Sequence, residues 1–180
     1  MQSENIYSFP TNIQTNQELI TDAIDFGCLR AKIVLTSSIS LGSWVHLKCQ
    51  FGCSNYGNIL TCPPYSPSST EMGEVLMEYK KALLIEVDDS TDTNNTIVQL
   101  EERLKRKGFY KAFAICAVPC SLCTPCTTDT QCKYPEKARP TFQACGIDVR
   151  TTLIKNGWST PSLKIEPCSP ANNIAMLLID

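Results

Sequence analysis

The sequence predicts a single α/β domain in which a mostly parallel or mixed central sheet is flanked by helices. Its 180 residues suit one domain with its own core. Strand-like and helix-like segments alternate along the chain, which favours a largely parallel sheet. Two cysteine-rich segments each follow a predicted strand, and loops that leave parallel strands emerge at one edge of the sheet. We therefore expect both cysteine-rich loops at one sheet edge.

We expect a loose N-terminal polar arm over residues 1–15 and a single cysteine-rich metal-binding domain over residues 16–180. Apolar residues at helical spacing predict a helix over 16–26. The stretch 31–39 is rich in β-branched residues, which predicts a strand that leads into the first cysteine-rich segment.

The middle of the chain alternates helix, strand and helix. Ser68 and Glu71 form a capping-box pattern that predicts the start of a helix, and the apolar run 82–87 predicts a buried strand. The next helix places its apolar residues on one side and ends at Gly108. Two oppositely charged pairs at i,i+4 spacing predict its solvent face: Glu101 with Lys105, and Glu102 with Arg106.

The last third of the chain continues the alternation. Residues 109–118 predict a strand that runs directly into the second cysteine-rich segment. Pro140 predicts the first position of a further helix, interrupted at Gly146, and Asp148 is placed to cap the helix that follows. The segment 173–180, with its apolar run 174–179, predicts a final strand.

Charge and cysteine content limit the class of protein. The chain has 16 Lys and Arg against 18 Asp and Glu, a net charge of -2, so no basic surplus is present to bind a nucleic acid. No apolar run reaches the roughly 20 residues of a membrane span, and the first residues lack a secretory signal pattern. We therefore expect a cytoplasmic protein whose thiols stay reduced and bind metal. The 11 cysteines are odd in number, so they cannot all pair within one chain.

The sharpest motif is C-x2-C-x2-C-x5-C, formed by Cys120, Cys123, Cys126 and Cys132. Two successive x2 spacings let three thiolates wrap three corners of a cubane, and bacterial ferredoxin runs begin in the same way. Structural zinc more often uses two separated C-x2-C pairs. The spacing therefore favours one or two iron–sulfur clusters, of the 4Fe–4S type, over the alternative of zinc.

A second set, Cys49, Cys53 and Cys62, is one thiolate short of a closed site. Candidates for the fourth ligand are Cys132, Cys145 and Cys28. Because Pro63 follows Cys62, as a proline follows the remote ligand in bacterial ferredoxins, Cys62 is also a candidate to complete the set of Cys120, Cys123 and Cys126. Two clusters, one cluster with spare thiols, and a shared site all remain open.

Other side chains near the cysteines have weaker signals. Cys116 lies in an apolar strand and fits a small buried hydrophobe, and Cys168 has no assigned role. His46 is a candidate ligand or proton carrier, although a hydrogen-bonded imidazole is the simpler interpretation. No phosphate-binding loop or nucleophile motif is present, so no catalytic residue is predicted. Four cations could stabilise an anionic cluster: Lys48, Lys133, Lys137 and Arg139. Three tyrosines could shield it from water: Tyr56, Tyr65 and Tyr134.

Six short strings around the cysteines form a specific set: WVHLKC at 44–49, CSNYG at 53–57, TCPPYSP at 61–67, CSLC at 120–123, CKYPEKARP at 132–140 and ACGIDV at 144–149. Together they resemble an uncharacterised family of cysteine-rich predicted metal-binding proteins of anaerobic bacteria and archaea. The resemblance runs from about Trp44 to Gly157 and implies metal or iron–sulfur binding through the matching cysteines, with no established reaction. The chain departs from the pattern at His46, where arginine is expected, and Cys116 falls outside it.

The function predicted from these motifs is that of an iron–sulfur protein that transfers electrons or supports redox chemistry for a partner enzyme. A zinc-stabilised interaction module without redox activity is the alternative. A weaker alternative is an enzyme that uses an open cluster site, which the set of three cysteines suggests. The motifs identify no substrate and no oligomeric state.

Overall fold

The computed structural model describes residues 16–158 and 173–180. They form one four-stranded sheet in the order β1-β2-β4-β3, and every neighbouring pair is antiparallel. The α/β class and the single layered sheet are as predicted, whereas the expectation of a mostly parallel sheet is wrong. The strands are β1 Arg30–Leu35, β2 Lys81–Glu86, β3 Phe113–Ile115 and β4 Ile174–Ile179.

Helices cover both faces of this sheet, which explains why its strands resemble those of a parallel one. The central strands β2 and β4 are buried on both faces and therefore read as continuous apolar runs. Apolar residues of α3 and α5 pack on one face, and those of α1 and α4 pack on the other. The helices are α1 Asn16–Asp25, α2 Ser43–Gly52, α3 Ser69–Met77, α4 Thr93–Arg106 and α5 Val149–Lys155.

Several helix ends follow the sequence signals. Ser68 and Glu71 form the expected capping box at the start of α3, and Asp148 caps α5 by accepting a hydrogen bond from the Thr151 amide. The helix expected from Pro140 is reduced to a short 3-10 turn, Gln143–Cys145. The carbonyl of Pro140 accepts a 2.8 Å hydrogen bond from the Cys116 amide. The backbone at Pro140 therefore extends the edge of the sheet instead of starting a helix.

The antiparallel arrangement makes β1 and β3 leave the sheet at opposite ends. Leu35, the last residue of β1, pairs with the first residue of β2, whereas Ile115, the last residue of β3, pairs with Met176 near the start of β4. The predicted reason for the two cysteine-rich segments to meet is therefore wrong. They are brought together instead by residues 140–148.

Residues 140–148 connect the two cysteine-rich segments by pairing with the stretch of chain that leads into each of them. Thr141 bridges to Cys116 just after β3, and Ile147 bridges to Leu41 just before α2. Gly146 has a φ of 69°, and a Cβ at this position would lie 2.7 Å from the Cβ of Ser69. Only glycine allows both this left-handed backbone and the close approach to the start of α3.

Candidate metal centre

The first set of cysteines is carried by α2 and the turns that follow it. Val45 and Cys49 are the buried residues of this helix, and Cys53 follows as its C-cap, with its amide bonded to the carbonyl of Cys49. The helix escaped prediction because its other apolar residues, Trp44, Leu47 and Phe51, are exposed and do not form one apolar stripe. Its single buried thiol is thus presented toward residues 140–148.

Backbone hydrogen bonds within the loop after α2 fix the position of Cys62. The Gly57 amide bonds to the Pro63 carbonyl at 2.8 Å, and the Cys62 amide bonds to the Ile59 carbonyl at 2.9 Å. The Ser66 hydroxyl and the Nε2 atom of His46 both donate to the Ala144 carbonyl, at 2.7 and 3.0 Å. His46 is therefore a hydrogen-bonded imidazole that joins α2 to the 3-10 turn.

A small cavity of about 20 Å³ brings the first set together. Its walls include Cys49, Cys53 and Cys62, with Tyr56 beside them. Pro119, which directly precedes Cys120, also lines this cavity. The first set of cysteines therefore lies against the beginning of the second.

The second set occupies a loop without regular secondary structure, and α4 holds the start of that loop. The side chain of Asn94 donates to the Val118 carbonyl at 2.8 Å and accepts from the amides of Ala117 and Val118 at 3.2 and 3.3 Å. These three bonds replace the strand neighbour that β3 lacks at its end. They fix the backbone two residues before Cys120.

The end of the same loop is held to α4 by an ion pair between Glu101 and Arg139. Arg139 donates to Glu101 through Nε at 2.8 Å and Nη2 at 2.6 Å, and its Nη1 donates to the carbonyls of Pro135 and Ala138. Glu101 also accepts from the Ala114 amide in β3 at 2.7 Å. The chain is thereby fixed on both sides of the cysteine loop.

This ion pair corrects two sequence interpretations. Glu101 does pair with Lys105, but it is 1% exposed rather than on the solvent face, and no ion pair joins Glu102 to Arg106 in the described part of the chain. Arg139 is committed to Glu101 rather than free to act as a cation beside the cysteines. Burial raises the pKa of the Glu101 carboxyl, but hydrogen bonds from Arg139 and Lys105 outweigh burial and hold that pKa below its ordinary value.

Cys62 lies within electrostatic range of the second set. Burial first, and then the neighbouring thiols of Cys49, Cys120 and Cys126, raise the pKa of the Cys62 thiol to about 11. Burial also raises the pKa of Cys120, and Cys132, Cys126 and Cys123 act on it in the same sense. One residue of the first segment is thus grouped with the thiols of the second.

The chemistry of this donor set fits a metal centre. Thiolates brought this close repel one another, and a bound cation removes that penalty and deprotonates the thiols outright. Cys120, Cys123, Cys126 and Cys132 are partly exposed, in contrast to core cysteines. Within residues 16–158 and 173–180, no three His, Cys, Asp or Glu side chains are already arranged to hold a single metal ion.

The remaining cysteines are not grouped with this set. Cys116 and Cys28 are buried among apolar residues, as expected for Cys116. Cys145 is fully buried in the core on the other face of the sheet, where burial raises its pKa to about 12. Cys53 is disulfide-bonded, and every other described cysteine is a free thiol. Cys168 lies outside the described residues.

Two residues that support the site, Asn94 and Glu101, were not predicted from the sequence to do so. Asn94 gives no signal beyond its place in the first turn of α4. Glu101 does give one, because it lies four residues after Ile97 and three before Leu104, on the apolar side of the helix. The other predicted cations, Lys48, Lys133 and Lys137, are exposed, and so is Tyr134.

Comparison with known proteins gives one result for this chain. Residues 32–179 match the family model described as "Predicted metal-binding protein (DUF2284)". No curated protein and no solved structure shows significant similarity. None of the helices in the described part of the chain is long and apolar enough to cross a membrane. Because the match spans most of its length, the chain belongs to the DUF2284 family of predicted metal-binding proteins.

Proposed function

We propose that the protein binds a cubane-type 4Fe–4S cluster and transfers electrons between that cluster and a partner protein. The ligands in this proposal are Cys62, Cys120, Cys123 and Cys126. The proposal specifies the metal centre of a chain whose family is described as metal-binding.

The observation that carries the proposal is the position of Cys62 relative to the second cysteine loop. It shares a small cavity with Pro119, and its thiol lies within electrostatic range of Cys120 and Cys126. Clusters of bacterial ferredoxins are bound by three cysteines at x2 spacing and by a fourth, remote cysteine that is followed by proline. Proximity in the fold and spacing in the sequence therefore support the same four residues.

The surroundings of these residues support electron transfer. The ligands of the second loop are partly exposed, and Leu122, between two of them, is 44% exposed. A cluster held here would lie near the protein surface, within reach of a docked redox partner. Bound at this place, the cluster would supply one-electron chemistry, while the chain's own residues fix the loop and limit its contact with water.

Metal analysis of anaerobically purified protein tests the proposal. We expect about four iron and four sulfide ions per chain and an electron paramagnetic resonance signal of a cubane after reduction. Colourless protein that contains zinc and no iron would overturn the proposal in favour of a structural zinc module.

A further inference from the structure

A cleft of about 820 Å³ lies along α4, beside the second cysteine loop. One wall follows α4 from its N-cap Asp92 to Arg106, a length of about 21 Å for 14 residues. Cys120, Leu122 and Lys137, from the second cysteine loop and the segment after it, also line the cleft. The cleft therefore connects the exposed side of α4 with a thiol of the candidate metal centre.

The charges of this cleft are unlike those of the whole chain. Five cations line it against the two carboxylates of Asp92 and Glu102: Arg103, Arg106, Lys107, Lys137 and Arg139. Adding Asp22 and Glu101, the acids that bind three of these cations, still leaves five cations against four acids. The chain as a whole has a net charge of -2, so positive charge is concentrated here.

Two of the cations are available to a ligand. Arg106 and Lys137 are exposed and form no ion pair within the residues that the structure describes. Both line the cleft, Arg106 from the C-terminal end of α4 and Lys137 from the segment that leads to Arg139. Guanidinium and ammonium groups in such positions bind carboxylates and phosphates.

We propose that this cleft binds a small organic anion, with its carboxylate or phosphate group between Arg106 and Lys137. The volume lies in the range of small-molecule sites, about 300–1,000 Å³. Apolar side chains for the rest of the ligand are present in the same walls, among them Phe26, Val98 and Leu122. Cys120 places the bound molecule beside the metal centre, and this last point alone rests on the proposed function.

The test is isothermal titration calorimetry on the anaerobically purified full chain at low ionic strength. Citrate and inorganic pyrophosphate serve as the two probes, one for each anionic group. We expect at least one of them to bind, and the double variant Arg106→Glu/Lys137→Glu to weaken that binding at least about tenfold. Binding of citrate alone would identify a carboxylate ligand, and binding of pyrophosphate alone a phosphate ligand.

A charge-matched control is the double variant Arg150→Glu/Lys155→Glu on α5. These two side chains are exposed and do not line the cleft. It should bind the same probe as well as the unmodified chain. Absence of binding by both probes, or equal binding by the two double variants, would overturn the proposal. Iron measured on the same samples separates the two hypotheses: binding without iron contradicts only the proposed function, and iron without binding contradicts only the anion site.

Discussion

Glu101 and Arg139 form a buried ion pair that joins the middle of α4 to the end of the cysteine loop. Both oxygens of Glu101 accept from Arg139, and Arg139 is 8% exposed. The same carboxylate accepts the Ala114 amide of β3. One acidic residue therefore fixes the edge strand from which the loop departs and the segment to which it returns.

Replacing Glu101 by Gln should strongly destabilise the fold, because it leaves the buried guanidinium of Arg139 without a countercharge. Breaking a buried pair in this way costs about 3–5 kcal/mol of the free energy of unfolding. Urea denaturation measures the loss. Glu102→Gln is the matched control on the next, exposed residue, and should stay within about 0.5 kcal/mol of the unmodified chain. Equal effects of the two substitutions would mean that the ion pair does not carry the stability assigned to it.

The same ion pair predicts how stability responds to acid. The pKa of Glu101 is lower in the folded chain than its ordinary value of 4.5, so its contribution is fully present above pH 4.5 and is lost as the pH falls through the folded pKa. The difference in free energy of unfolding between the unmodified chain and Glu101→Gln should therefore be constant near neutrality and shrink in acid. Denaturation curves at several pH values measure that difference. A constant difference down to the lowest pH would show that Glu101 does not titrate as an ion-pair partner.

Replacing Asn94 by Ala should loosen the backbone before Cys120, since it removes three hydrogen bonds to Ala117 and Val118. The expected loss is about 1–3 kcal/mol, because two amides and a carbonyl in partly buried hydrogen bonds lose their partner. Amide hydrogen exchange at Val118 should accelerate in parallel. Asn95, one position later, has an exposed side chain, so Asn95→Ala should leave the stability and the exchange rate at Val118 nearly unchanged. A similar loss in Asn95→Ala would mean that any substitution at the start of α4 has this effect.

Gly146→Ala should destabilise the contact between the 3-10 turn and α3. The added Cβ meets the Cβ of Ser69 at 2.7 Å, in addition to the strain of a φ of 69°, so the cost should exceed the roughly 1 kcal/mol of backbone strain alone. Gly157→Ala is the control, since its φ is 71° and its nearest contact is the end of a lysine side chain at 3.7 Å. Thermal unfolding of the two variants measures the difference. Equal unfolding temperatures would mean that steric contact with Ser69 adds nothing.

The sequence predicted local elements well where a local rule governs them. The capping box at Ser68 and Glu71, the cap at Asp148 and the apolar runs of β2 and β4 all follow from neighbouring residues. Strand direction does not, because an antiparallel sheet covered by helices on both faces has the same apolar runs as a parallel one. The helix expected at Pro140 failed for a related reason: its carbonyl is used by Cys116, a distant residue.

The candidate site was predictable in its residue types and not in its route of assembly. The Cys62-Pro63 pair marked Cys62 as a possible partner of Cys120 and Cys126, and these residues do lie near one another. The supports of the loop are long-range contacts of α4, and a single sequence does not reveal such contacts. Glu101 was assigned to the solvent face because it can pair with Lys105. Its position on the apolar side of α4 was the more informative signal, since the residue is buried.

The most direct test of the account is the iron content of two single variants purified without oxygen, Cys62→Ser and Cys132→Ser. Both residues are near Cys120, but only Cys62 is a ligand in the proposed 4Fe–4S centre. Cys62→Ser should lose most of its iron and its reduced-cluster resonance signal, while Cys132→Ser should keep about four iron ions per chain. The opposite result, with iron retained in Cys62→Ser and lost in Cys132→Ser, would assign the centre to the second cysteine loop alone and contradict the account.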